Sequence, residues 1–136
     1  MSDYRLVERT PSVEDYNRIR EAAGLSRRDP GAAEAGLRNT LYGVCVEREG
    51  RVVGIGRIIG DGGLFFQVVD VAVLPEHQKK GLGAKIMETL ASWLAERAPS
   101  GAYVQLIADG GTPAFYERYG FRVRTPEDSG MSFMTL

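Results

Sequence analysis

The residues best suited to chemistry cluster at one junction. His77-Gln78-Lys79-Lys80-Gly81-Leu82-Gly83 follows the most apolar run of the chain, LFFQVVDVAVLP, where a strand hands over to a helix. A helix starting near Gly81 leaves its first backbone N–H groups without intrahelical partners. Its dipole gathers partial positive charge there, and glycines let a ligand come close to the backbone. Gln78 can donate from its side-chain amide, and Lys79 and Lys80 add charge. The chemistry on offer is the binding of a compact anion such as a pyrophosphate. The bland alternative is a solvated turn.

Composition narrows what else is available. The 136 residues fit one domain spanning 1–136, with 43% hydrophobic and 26% charged residues. A net charge of −1 gives no basic footprint for nucleic acid, so any phosphate binding is local. Cys45 is the single cysteine and His77 the single histidine. That removes an intramolecular disulfide, Ser-His-Asp and Cys-His catalysis, and multi-histidine zinc sites, so no metal is expected. The start, MSDYRLVERT, lacks the apolar core of a signal peptide, and no apolar run is long enough to span a membrane. The cytoplasm is the expected location.

The elements that must position the junction follow from periodicity. Tyr4–Glu8 alternates like a half-buried strand, and Ser12 with Asp15 opens a helix carrying Val13, Tyr16 and Ile19 on one stripe. Leu25–Thr40, broken by Pro30, Gly31 and Gly36, reads as a loop plus a short helix. LYGVCVER, RVVGIGRIIG and LFFQVVDVAVLP, separated by turns at Glu49-Gly50 and Asp61-Gly62-Gly63, predict an antiparallel meander. Gly81–Arg97 is the clearest helix, with Leu82, Ile86, Leu90 and Leu94 every four residues. Ala102–Ala108 is expected to run parallel to the preceding strand, because a helical crossover separates them. Thr112–Tyr119 predicts a short helix, and Phe121–Arg124 and Met131–Thr135 two last strands. The order β-α-α-β-β-β-α-β-α-β-β is one mixed α/β domain. Two other glycine patterns fail as nucleotide motifs. Gly54-Ile55-Gly56 has its third glycine, Gly60, one residue late and a turn rather than a helix after it, and no GxxxxGK[ST] exists.

Gln78-Lys79-Lys80-Gly81-Leu82-Gly83 is similar to the Q/R-x-x-G-x-G/A signature of the GNAT superfamily of N-acetyltransferases. Phe115-Tyr116-Glu117-Arg118-Tyr119-Gly120-Phe121 resembles the FYxxxGF segment of that family, and the element order matches its fold over nearly the whole chain. The resemblance implies a GNAT (acyl-CoA N-acyltransferase) fold: a mixed central sheet with an antiparallel N-terminal meander, then a splayed parallel pair, with helices on both faces. It implies acetyl-coenzyme A as cosubstrate, its pyrophosphate on the backbone of Gln78, Lys79, Lys80, Gly81, Leu82, Gly83 and Ala84. The pantetheine arm would run along Val71, Ala72 and Val73, where the strand diverges from its neighbour and the arm replaces a missing strand.

Acetyl transfer to an amine needs a neutral amine, a stabilised oxyanion and a proton for the departing thiolate. By resemblance Tyr116 is the proton donor, also in contact with the coenzyme; a free tyrosine titrates near ~10 and a thiol near ~8.5, so hydrogen bonding in the transition state is the better description. The oxyanion donor is expected to be the Val73 N–H. Some members place a glutamate where this chain has Gln67, which cannot serve as a base. Asp70, interrupting an apolar strand, is the nearest carboxylate: either a base or a structural acid paired with a neighbouring strand or arginine. Asp109, at the far end of the parallel strand where many members carry asparagine, is another candidate base. His77 is expected at the phosphate side or in solvent, Cys45 as a buried apolar residue, and Trp93 as core or interface. The acceptor is a small-molecule or peptide amine, recognised by Leu25–Thr40, the hairpin end and Asp109–Thr112. Many members of the family dimerise, so a homodimer is a further expectation, and the rival to the enzyme is a coenzyme-binding module without turnover.

Overall fold

The structure, a computed structural model, describes residues 3–108 and 113–123. Strand β1 (Tyr4–Val7) pairs antiparallel with β2 (Tyr42–Arg48), β2 with β3 (Arg51–Gly60), and β3 with β4 (Phe65–Val73). The β2–β3 turn has Glu49 at φ 51° and Gly50 at φ 78°. Two successive positive φ values make the tight hairpin turn whose twist matches that of the strands. At the β3–β4 turn, one carboxylate oxygen of Asp61 accepts from the N–H groups of Gly63, Leu64 and Phe65. The expected meander is present.

Helix α1 (Val13–Ala22) starts at Ser12, whose hydroxyl accepts from Asp15 N–H, and it buries Tyr16, Asn17, Ile19 and Arg20. The loop and short helix expected over 25–40 are present, the helix as α2 (Pro30–Arg38), with Pro30 in the first turn, Asp29 accepting from Ala32 N–H, and Ala33 and Leu37 buried. Asn17 clamps the connection between α1 and α2 through both hydrogen bonds to the Arg28 backbone. Helix α3 (Leu82–Arg97) buries Leu82, Ile86, Met87, Leu90 and Leu94 against the sheet, each contributing roughly 1.5–3 kcal/mol.

The two faces of β3 explain its glycines. A Cβ on Gly56 would lie 2.6 Å from Ile86 Cγ2 and 3.2 Å from Leu90 Cδ1, and one on Gly54 3.3 Å from Ile86 Cδ1. These positions face α3 and let it approach the sheet closely. The alternate residues Ile55 and Arg57 face the other side, toward α1 and α2. The Gly54-Ile55-Gly56 pattern is therefore a packing feature, and helices cover both faces. Trp93 stacks on Tyr42, centroids 5.2 Å apart, and meets Phe66 edge-on, so it belongs to the core.

β5 (Tyr103–Leu106) pairs parallel with β4, giving the order β1-β2-β3-β4-β5. The short helix α4 (Pro113–Glu117) follows. The strand expected over Phe121–Arg124 is not seen at Phe121–Val123, which carry no regular structure; Arg124 and the expected strand Met131–Thr135 lie outside the described residues. No helix among the described residues is long and apolar enough to cross a membrane.

Candidate active site

β4 and β5 pair only from Phe65↔Tyr103 to Val68↔Leu106. Beyond that point β4 continues to Val73 while β5 ends, so among the described residues the strands part and residues 69–73 have one open edge. The direction of the open groups follows from alternation. Leu74 N–H donates to Val53 C=O across the β3 side. Neighbouring residues point the opposite way, so the N–H groups of Val73 and Val71 face the open edge. The Val73 C=O, on that same side, accepts from Gln78 Nε2 at 2.9 Å. Gln78 thus ties the loop back to the strand with the amide expected to reach phosphate.

After β4 the chain makes a short 3₁₀ turn at Pro75–His77, and Lys79 at φ 62° and Gly81 at φ 83° swing it into α3. Gly81 is the N-cap and offers no side chain to the first-turn N–H groups. Space around it is open: among the described residues nothing lies within 4 Å of where its Cβ would be. Lys79 and Lys80 are exposed. An uncapped helix start with free approach and two nearby cations fits an anionic phosphate group. His77 turns away from it: its Nδ1 lies 2.7 Å from the Tyr4 hydroxyl, which also accepts from Arg48.

α4 packs on this same helix start. The Phe115 ring tip lies 3.6 Å from the position of a Gly83 Cβ, and the Tyr119 hydroxyl reaches Ala84 C=O at 3.4 Å. Phe115 meets Tyr116 and Tyr119 edge-on, and Arg118 lies over Phe115. The GLG and FYERYGF segments are thus brought together, with Tyr116 half-buried beside Phe115.

Asp70 sits on a bulge. Ile55 pairs with Ala72 but Arg57 with Val69, so β4 spends one extra residue there, and Asp70 takes φ 58°. Positive φ is costly for most residues, though aspartate tolerates it better. Its carboxylate, 9% exposed, is held by three donors: the Tyr16 hydroxyl at 3.0 Å, Arg20 Nη1 at 2.8 Å and Arg57 Nε at 3.0 Å. Burial, then the neighbouring Asp70 charge, raises the Tyr16 pKa, so its hydroxyl stays a donor. Arg20 also donates to Ser26 C=O, and Arg57 to Thr40 and Gly36. Of the two expectations for Asp70, this geometry supports the structural acid. Arg20 and Arg57 escaped the sequence reading; the available signal was an arginine interrupting the apolar strand RVVGIGRIIG beside an aspartate interrupting the next one.

Asp70 also borders a cavity of about 290 Å³ between α1, α2 and the sheet, lined by Tyr16, Arg28, Ala33, Leu37 and Arg57 among others. The lining from α2 falls within the stretch expected to recognise the acceptor. Cys45 is buried in β2, which pushes its thiol up to about 11 and makes it inert as a nucleophile at neutral pH. Asp109 and the rest of 109–112 lie outside the described residues.

Comparison with known proteins decides the family. A family model described as an acetyltransferase (GNAT) domain matches residues 40–123. The chain belongs to the GNAT acetyltransferase family. It is 32% identical to GCN5-related N-acetyltransferase 1, chloroplastic, of Arabidopsis thaliana, over 90% of this chain and 62% of that protein. The chain therefore spans under two thirds of that relative's length. A crystal structure of a protein of unknown function from meticillin-resistant Staphylococcus aureus is 37% identical with a TM-score of 0.91, covering 97% of this chain and 99% of that one. A GNAT acetyltransferase from Streptococcus pneumoniae superposes with a TM-score of 0.78 at 26% identity, covering 97% and 98%. The GNAT fold expected from the sequence, with its splayed parallel pair, is the fold observed.

Proposed function

We propose that this GNAT domain moves an acetyl group from acetyl-coenzyme A to a primary amine, by direct attack while both substrates are bound. The observation that carries the reading is the continuity of two features: an open strand edge at Val71–Val73, and an uncapped, glycine-started α3 immediately after it. When bound, the coenzyme supplies an activated acyl group as a thioester.

The chain's own residues would divide the work as follows. The first-turn N–H groups of α3, from Gly81 to Ala84, take the pyrophosphate, with Lys79 and Lys80 adding long-range attraction. Val71 and Val73 offer main-chain pairing to the pantetheine arm, while Ala72 between them pairs with Ile55 of β3. The Val73 N–H donates to the negative charge that develops on the acyl oxygen. Tyr116 donates a hydrogen bond to the departing sulfur. The amine nitrogen forms its bond to the acyl carbon as the carbon–sulfur bond breaks, and the amine's surplus proton leaves through solvent. Asp70 does not remove it, because its carboxylate is buried and both oxygens are already engaged by Arg20, Arg57 and Tyr16. Its part is to hold Arg57 and Tyr16 where they line the proposed acceptor cavity, with Arg20 bonded to its other oxygen. The cytoplasm remains the proposed compartment, and nothing in the reading requires nucleic acid, membrane or a second subunit, although a homodimer is compatible with it.

The test is thiol release from acetyl-coenzyme A with a panel of primary amines and short peptides. The reading expects turnover with at least one amine and an N-acetylated product by mass spectrometry. Tight coenzyme binding with no turnover on any amine would favour a coenzyme-binding module instead.

A further inference from the structure

The cavity beside Asp70 is unequally charged. Its lining includes two arginines, Arg28 and Arg57, against a single acidic residue, Asp70. That carboxylate is already matched by Arg20, which donates to its other oxygen. Arg57 is 8% exposed, and its hydrogen bonds use Nε and Nη1 only. Among the described residues its Nη2 donates to no protein atom. The buried side-chain nitrogen without a partner among the described residues is Arg18 Nη1, so Arg57 Nη2 is not sealed off and stays reachable by a ligand. Arg28 is pinned through its backbone by Asn17, while its guanidinium makes no ion pair among the described residues. Apart from Tyr16, the rest of the lining, including Ala33, Leu37 and Val69, is small and apolar.

We infer that the acceptor is a small amine carrying an acidic group, a carboxylate or a phosphate monoester, which sits on Arg57 Nη2 and Arg28. This deepens the acetyltransferase reading and rests on it. A planar guanidinium with a free donor edge suits an oxyanion, and carboxylate and phosphate share that chemistry. The surplus positive charge also favours the neutral form of the incoming amine, which is the reactive form, and it repels polycations. At about 290 Å³ the space matches the lower end of small-molecule sites.

The experiment compares matched acceptors: ethanolamine with O-phosphoethanolamine, propylamine with β-alanine, and tryptamine with tryptophan. Within each pair kcat/KM is measured by thiol release. The inference expects the acid-bearing member of at least one pair to be favoured about tenfold or more, mainly through KM, with the advantage shrinking at high salt. The phosphate and carboxylate pairs show which acid is taken. Arg28→Gln, at an exposed side chain, should move the ratio within the favoured pair toward one. Arg57→Lys should do the same if it folds. Parent amines equal to or better than all their acidic partners, or better turnover of a lysine-rich peptide, overturn the inference while leaving the acetyltransferase reading intact. If no amine turns over, that reading fails by itself, and calorimetric titration of O-phosphoethanolamine against ethanolamine still decides the site. Binding of the phosphorylated compound that is lost in Arg28→Gln supports it, and equal or absent binding of both overturns it.

Discussion

Asp70 combines a left-handed backbone, a bulge and three side-chain donors, and each feature accounts for another. The bulge turns the carboxylate inward, and the donors from α1 and β3 offset the cost of burying it at φ 58°. Removing its charge leaves two buried guanidiniums without a counter-ion. Asp70→Asn should lower unfolding stability by roughly 3–5 kcal/mol, read by urea denaturation, because a broken buried pair strands its partners. A full loss of turnover at unchanged stability would restore Asp70 as a base. Tyr116 belongs at the same scale. Tyr116→Phe should reduce kcat by about 10²- to 10⁴-fold, with coenzyme affinity by calorimetry little changed. Equal rates would remove its role. The sequence exposed Tyr116 and Asp70 through motif and context. It hid the partners, because Tyr16 and Arg20 on α1 lie far from Asp70 in the chain and reach it, beside Arg57, only once α1 packs on the sheet.

At the scale of elements, α3 decides both packing and site. Its apolar stripe was readable from its four-residue repeat, and its start from the glycines. What periodicity could not show is why β3 has glycines at 54 and 56. Only the packed structure shows that side chains there would collide with Ile86 and Leu90. Gly56→Ala should destabilise the fold by about 1–3 kcal/mol in denaturant, since its Cβ would fall 2.6 Å from Ile86 Cγ2. Gly81→Leu should behave differently. No packing opposes its Cβ, so its structural cost is the strain of φ 83°, about 1 kcal/mol. Acetyl-coenzyme A affinity should nonetheless fall about tenfold or more, because the side chain crowds the helix start. Unchanged affinity by calorimetry would remove the phosphate from α3. The helix inside 25–40 was legible only in part: Asp29-Pro30 is a sound start signal, but Gly31 and Gly36 weaken the pattern, and burial of Ala33 and Leu37 stabilises it instead.

Across the whole molecule, strand order was the most legible feature. Tight turns fix an antiparallel meander, and a helical crossover requires a parallel partner. The parting of β4 and β5 was implied by family likeness rather than by residue pattern, since a period-two alternation does not report where pairing stops. The bulge at Asp70 lies two residues beyond the last β4–β5 pair at Val68. It places the caged carboxylate, the open Val73 N–H and the cavity beside α1 and α2 along one short segment. That arrangement makes the central claim spatial: coenzyme along Val71–Val73 and on the start of α3, acceptor in the cavity on the α1–α2 side. The most direct test is a crystal structure with acetyl-coenzyme A bound. The account predicts pyrophosphate oxygens within hydrogen-bonding distance of backbone N–H groups between Gly81 and Ala84, and the acyl oxygen facing Val73 N–H. A coenzyme bound elsewhere, or none at saturating concentration, would contradict it.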